Sequence, residues 1–173
     1  MIHAVVQSPI GPLLIVGDGT SLTGLYTAEH VRRPTALGDR DDLAFEQARR
    51  ELSEYFDGSR TEFEVELSPA GTGFQQQVWN ELRRIGFGRT ATYREVAERI
   101  GRPTAVRAVG MANGRNPISI VVPCHRVLGT DGTLTGYAGG LEAKRWLLAH
   151  EGHTPGTARG SVPAATGGAV TSR

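Results

Sequence analysis

Cysteine occurs once in this 173-residue chain, at position 124, within VVPCHRVLGT (residues 121–130). A thiol attacks as its thiolate, and a nearby imidazole can generate that form. His125 is the next residue. Neighbours on a regular strand point to opposite faces, so His125 can serve Cys124 only where the chain bends or through a bridging water. Pro123 favours such a bend. A third group must orient the imidazole, and Glu151, at the end of the last predicted helix, is the candidate by default. The bland alternative for a lone cysteine is a small buried hydrophobe. One cysteine and five scattered histidines show no zinc-ligand spacing, so neither a metal nor a cofactor is expected.

The elements that must position these groups can be read from periodicity and punctuation. HAVVQ, LLIVG and TGLYT are short apolar runs split by SPIGP and DGTSL, the pattern of a small antiparallel meander. Residues 41–57 predict a helix with Leu43, Phe45, Ala48, Leu52, Tyr55 and Phe56 on its apolar side, stopped at Gly58. TEFEVEL alternates and predicts a strand. SPAGTG (68–73) is a linker-like break. FQQQVWNELRRI (74–85) predicts a helix capped by Thr72 with Gln75, and YREVAERI a second, capped by Thr92 with Glu95 and closed at Gly101. Pro103 and Thr104 open a third, TAVRAVGMAN, closed at Gly114. The last two, joined by Gly-Arg-Pro, form a helix-turn-helix pattern. NPISIVVP predicts a turn and a buried strand, Asp131-Gly132 a hairpin, and LEAKRWLLAHEG a final helix. The sequence thus predicts an α+β fold. Residues 1–70 form a small sheet-plus-helix domain, residues 71–152 a mostly helical domain carrying the cysteine, and residues 153–173 a disordered tail.

Charge divides at the same place. Residues 1–70 carry 6 arginines and 12 acids, a net of −6; residues 71–151 carry 11 basic and 6 acidic residues, a net of +5. A basic half beside an acidic half suits a polyanionic partner. On a helical wheel Ala105, Ala108, Val109 and Ala112 share one face, and Arg107 points away from it beside Gly110 and Met111. A long cation on a low-relief helix can enter a nucleic-acid groove or fill the gap left by an extruded base; the alternative is a solvated arginine. No apolar run approaches the roughly 20 residues of a membrane span. With no secretion signal and no disulfide in prospect, a cytoplasmic location is expected.

PCHRV (123–127) resembles the active-site signature of the O6-alkylguanine-DNA alkyltransferases. YREVA (93–97), RAVG (107–110), NP (116–117), GYAGG (136–140) and KRWLLAHEG (144–152) resemble further motifs of that family in order and spacing. The resemblance is strong over about 72–152, and only in outline before residue 70. It implies a single-use repair protein that binds duplex DNA in the minor groove and flips the damaged guanine. The alkyl group then passes to the protein's own cysteine. O6-methylguanine is the implied substrate, with O4-methylthymine as a further one. By position, Cys124 is the acceptor, His125 the base acting through a water, and Glu151 its orienting partner. Tyr93 donates a proton to the departing guanine, and Asn116 links the recognition helix to the active-site turn. Arg107 is the finger that replaces the flipped base, with Thr104, Ala105, Ala108 and Gly110 on the DNA side. Val127, Tyr137, Ala138, Gly139 and Gly140 wall the pocket. A monomer is implied, with cooperative assembly on DNA left open. Val106 stands where relatives often carry alanine, Ala138 where some carry a hydroxyl residue, and Ser119 where some carry proline; these departures bear on which bulky alkyl groups fit.

Two other readings bear on the same residues. A sensor of alkylated guanine needs the helix pair but not the cysteine. A cysteine hydrolase needs Cys124 and His125 but neither the helix pair nor Arg107.

Overall fold

The computed structural model describes residues 1–153; the tail predicted from residue 153 lies, apart from His153, outside the described residues. Strands β1 (Ile2–Val6), β2 (Leu13–Gly17) and β3 (Leu22–Tyr26) form the expected antiparallel meander. Its turns are closed locally: Ser8 Oγ donates to the Gly11 carbonyl at 2.6 Å, and Asp18 Oδ1 accepts from the amides of Thr20 and Ser21 at 2.9 and 2.8 Å. A short strand β4 (Asp39–Arg40) joins the edge parallel to β1, so the sheet has order β3-β2-β1-β4 and is not wholly antiparallel as predicted.

Helix α1 (Glu46–Asp57) begins five residues later than its apolar pattern suggests. Asp41 Oδ1 accepts from the amides of Leu43 and Ala44, an Asx turn that competes with the helix. Phe45 then adopts a left-handed conformation (φ 59°), and Leu43, assigned to the apolar face, is 81% exposed. Gly58, also left-handed, ends the helix as expected.

TEFEVEL is not a strand. Its side chains do alternate, with Val65 buried, but its hydrogen bonds go elsewhere: Glu51 Oε2 accepts from the amides of Glu64 (2.9 Å) and Val65 (3.2 Å). A single bridge, Leu22 to Leu67, ties the segment to β3.

In the second half α2 (Gly73–Leu82) and α3 (Tyr93–Arg99) both start with complete capping boxes, Thr72 with Gln75 and Thr92 with Glu95. Two-residue strand β5 (Ala91–Thr92) leads into α3. Helix α4 (Val106–Asn113) follows a turn through Gly101, so Thr104 and Ala105 precede it, not open it. Trp79 Nε1 donates to the Ala112 carbonyl at 2.9 Å and binds α2 to α4. Residues 117–123 form tight turns where a buried strand was predicted; Ile120 is left-handed (φ 72°) and fully buried. Asp131-Gly132 makes a turn but no hairpin. Asp131 Oδ1 holds Thr133, and β6 (Val127–Leu128) pairs in parallel with β5. Helix α5 (Leu141–His150) is the last element among the described residues.

One apolar core runs through both halves, joining Leu25 and Tyr55 to Val78, Ile118, Cys124 and Leu147. No described helix is long and apolar enough to cross a membrane.

Candidate active site

Cys124 opens a single 3₁₀ turn, Cys124–Arg126, placed between the buried loop 117–123 and β6. This is the bend the sequence requires, and it replaces strand alternation with a tight turn. Asn116 builds the loop beneath it. Its Oδ1 accepts from the Ile118 amide at 3.0 Å, and its Nδ2 faces the Val122 carbonyl at 2.8 Å and Cys124 Sγ at 3.0 Å. A side-chain amide thus takes over backbone hydrogen bonding that a strand would supply, which is why the apolar run does not become one. Two residues tie α4 to this turn: the Asn116 amide donates to the Asn113 carbonyl at the end of the helix at 3.2 Å, and Asn113 Nδ2 reaches the Cys124 carbonyl at 3.4 Å. The sequence reading named Asn116 for that link but missed Asn113; a polar residue on the otherwise apolar side of α4 was the available signal.

His125 is fully buried and its Nε2 lies 2.9 Å from Glu151 Oε1. Glu151 sits at the C-cap of α5 and is the most heavily bonded side chain in the site. Oε1 also accepts from Arg126 Nη2 (2.9 Å) and Tyr55 Oη (2.8 Å); Oε2 accepts from Arg126 Nε (2.8 Å) and the Gly88 amide (3.2 Å). Burial alone would push this carboxyl up. Hydrogen bonds from His125 and Arg126 outweigh it and hold the group well below the usual carboxylate range. With Glu151 ionised, Nε2 of His125 carries the ring proton and Nδ1 is left as the acceptor. Nδ1 is buried without a hydrogen-bond partner among the described residues. Burial lowers the His125 pKa against the pull of Glu151, so the imidazole is neutral and basic at Nδ1.

Burial raises the Cys124 thiol; the Asn116 amide and the Lys144 charge work in the opposite direction. Lys144, the only lysine in the chain, is wholly buried on α5. Its Nζ donates to the carbonyls of Val127 (2.7 Å) and Thr135 (3.1 Å), and burial pulls its pKa down to about 8. The sequence reading gave Lys144 no role, though a lone lysine among arginines was a visible signal.

Tyr93 Oη and Thr135 Oγ1 share a hydrogen bond of 3.0 Å. Burial raises the Tyr93 phenol, and Cys124 lies near enough to raise it further. Its ring lies under α4, where a Cβ at Gly110 would meet Tyr93 Cδ1 at 3.7 Å. Tyr137 is buried beside Ser119 and Cys124 but makes no well-formed hydrogen bond with either. The loop from Tyr137 to Gly140 is clamped by the N-terminal half. Thr27 Oγ1 donates to the Gly139 carbonyl at 3.2 Å, and the Val31 amide to the Ala138 carbonyl at 3.0 Å. Gly140 has a positive φ (+89°), which favours glycine there; a Cβ would also require the Glu29 carboxylate, 2.8 Å away, to move. Val127 is wholly buried in β6.

Arg107 does not join this cluster. It is exposed on α4 with Met111, and Thr104 is exposed just before the helix. Ala108 is exposed too, contrary to the wheel that grouped it with buried Val109 and Ala112; the helix buries Asn113 in its place. Among the described residues no group of three or more His, Cys, Asp or Glu could hold a metal ion.

A lone cysteine held by Asn116, one residue before an imidazole oriented by Glu151 and linked to the second helix of a helix-turn-helix, defines a group-transfer site built into a nucleic-acid-binding type of domain. The chain belongs to the 6-O-methylguanine DNA methyltransferase family. Residues 73–153 match its DNA binding domain and residues 1–69 its ribonuclease-like domain. A methylated-DNA--protein-cysteine methyltransferase from Methanosarcina acetivorans is 47% identical over 155 residues, covering 88% of this chain and 99% of that protein. One from Mycobacterium bovis is 51% identical over 150 residues, covering 86% and 91%. The crystal structure of Mycobacterium tuberculosis OGT in complex with DNA superposes with a TM-score of 0.85 at 48% identity, covering 90% of this chain and 96% of that one.

Proposed function

We propose that this protein repairs DNA by moving the alkyl group of O6-alkylguanine, chiefly O6-methylguanine, onto Cys124 in a single irreversible turnover. The observation that carries the reading is the buried set Cys124, Asn116, His125 and Glu151 in a chain of this family, with the exposed face of α4 beside it.

In this mechanism His125 Nδ1 takes the thiol proton through a water, and Glu151 stabilises the imidazolium. Asn116 Nδ2 and the Lys144 charge stabilise the developing thiolate. Sγ attacks the alkyl carbon, a C–S bond forms, and the bond from carbon to O6 breaks. Tyr93 donates a proton to the guanine as O6 leaves. The thioether cannot be reversed by any group in the site, so each chain acts once. O6 cannot meet the thiol inside a stacked duplex, so the nucleotide must be extruded. Arg107 at the front of α4, with Thr104, Ala105, Ala108 and Gly110 around it, is placed to enter the minor groove and fill the gap. Val127 and Tyr137 to Gly140 form the pocket. Residues 71–152 form the transfer and DNA-binding domain, residues 1–70 its support, and one chain suffices for one lesion.

The test is intact mass. Protein mixed with excess duplex containing O6-methylguanine should gain one methyl group, mapped to Cys124, and never more than one. Binding to the lesion without any gain in mass would replace the reading with a sensor.

A further inference from the structure

We propose that Tyr55 is a positioning residue of the transfer site, reaching from α1 in the N-terminal half to hold the one Glu151 oxygen that faces His125. This inference rests on the transfer reading above.

Tyr55 Oη donates to Glu151 Oε1 at 2.8 Å, the same oxygen that His125 Nε2 meets at 2.9 Å. The side chain is wholly buried, and both of its ends are fixed. Its carbonyl pairs with His150 Nε2 at 2.7 Å, and its ring packs edge-on against Phe87 and His150. Burial, then the Glu151 charge, keeps the phenol protonated far above its ordinary range, so it is a permanent neutral donor. The charged groups facing His125 are Glu151 at the end of α5, Arg126 on its own turn and Lys144 on α5. Arg126 and Tyr55 both draw on the Glu151 charge, yet only Tyr55 comes from outside the domain that carries the chemistry. The hydroxyl therefore limits how strongly Glu151 holds the proton on His125. Without it the carboxylate has one donor fewer, and the imidazolium is favoured at higher pH.

The variant Tyr55→Phe keeps the ring and removes the donor. Two readouts are compared with wild type: the pH profile of methyl transfer from free O6-methylguanine, and the ring-nitrogen NMR shifts of His125 in substrate-free protein across pH. The expected result is an acid limb and a nitrogen titration that move together to higher pH, by about one unit. Replacing Tyr55 with 3,5-difluorotyrosine, similar in size but a stronger donor, should move both the other way. Profiles that superimpose on wild type would overturn the inference. So would a uniform loss of rate with His125 nitrogens unmoved, which would mark Tyr55 as packing alone. If Tyr55→Phe fails to fold, the difluorotyrosine shift decides. If wild type transfers no methyl group, the transfer reading falls, and the substrate-free nitrogens still decide whether Tyr55 governs His125.

Discussion

The Glu151 network and the outer face of α4 are opposites. Around Glu151 five hydrogen bonds from α1, the Gly88 turn and the 3₁₀ turn converge on one buried carboxylate. On α4, Arg107, Ala108 and Met111 face solvent. The first region is over-determined by the fold and the second is left free by it. A buried network fixes geometry because an unpaired charge there is costly. A binding face must keep its groups unspent until a partner arrives.

Substitutions should separate the two regions. The largest effect belongs to the acceptor. Cys124→Ser should bind lesion-containing duplex as wild type does and accept no methyl group, because a serine alkoxide is far harder to form than a thiolate. Any methyl on residue 124 in that variant, read by peptide mass, would sink the assignment. Next is the network. Glu151→Gln leaves the buried Arg126 charge without its partner and should cost about 3 kcal/mol in urea unfolding, together with nearly all transfer activity.

The same carboxyl sets an acid limit. Its folded pKa lies below the ordinary 4.5. Its contribution is therefore fully present above about pH 4.5 and is lost as pH falls towards the folded value. Wild type should lose stability between pH 5 and 3 more steeply than Glu151→Gln, as measured by unfolding at each pH. Parallel curves would mean that Glu151 is not the group responsible.

On α4 the pattern should reverse. Arg107→Ala should leave stability within about 0.5 kcal/mol. It should slow transfer from duplex by about tenfold relative to transfer from the free modified base, since only the duplex must be unstacked. Equal losses on both substrates would remove Arg107 from the finger role. The smallest effect is expected at Gly110, a helix-interior glycine with ordinary space for a methyl above Tyr93. Gly110→Ala should stabilise the fold by about 0.5–1 kcal/mol while weakening duplex binding, a gain in one region at the expense of the other.

Local chemistry was legible in the sequence wherever a few adjacent residues decide the outcome. Both capping boxes form as read, and so do the meander, the helix pair and the stop at Gly58. The failures share one cause. At residues 61–67 and 117–122 the apolar pattern is that of a strand, but distant or side-chain groups claimed the backbone hydrogen bonds: Glu51 in one case and Asn116 in the other. The Asx turn at Asp41 shortened α1 in the same way. In the site, motif order located Cys124, His125 and Glu151. It carried Arg126 and Lys144 without a role and passed over Tyr55, because their importance lies in where the fold carries them. Tyr55 and Glu151 are 96 residues apart, and no periodicity spans that distance.

That separation also bears on when the thiol becomes dangerous. Ribosomes deliver Cys124 and His125 before Glu151, so a nascent or truncated chain has a cysteine whose imidazole has no anchor. Only when α5 has docked between the 3₁₀ turn and Tyr55 does the base acquire its orientation. For a protein that spends itself in one reaction, this makes an oriented base, and with it alkyl transfer, conditional on the docking of α5 rather than on the presence of Cys124 and His125 alone.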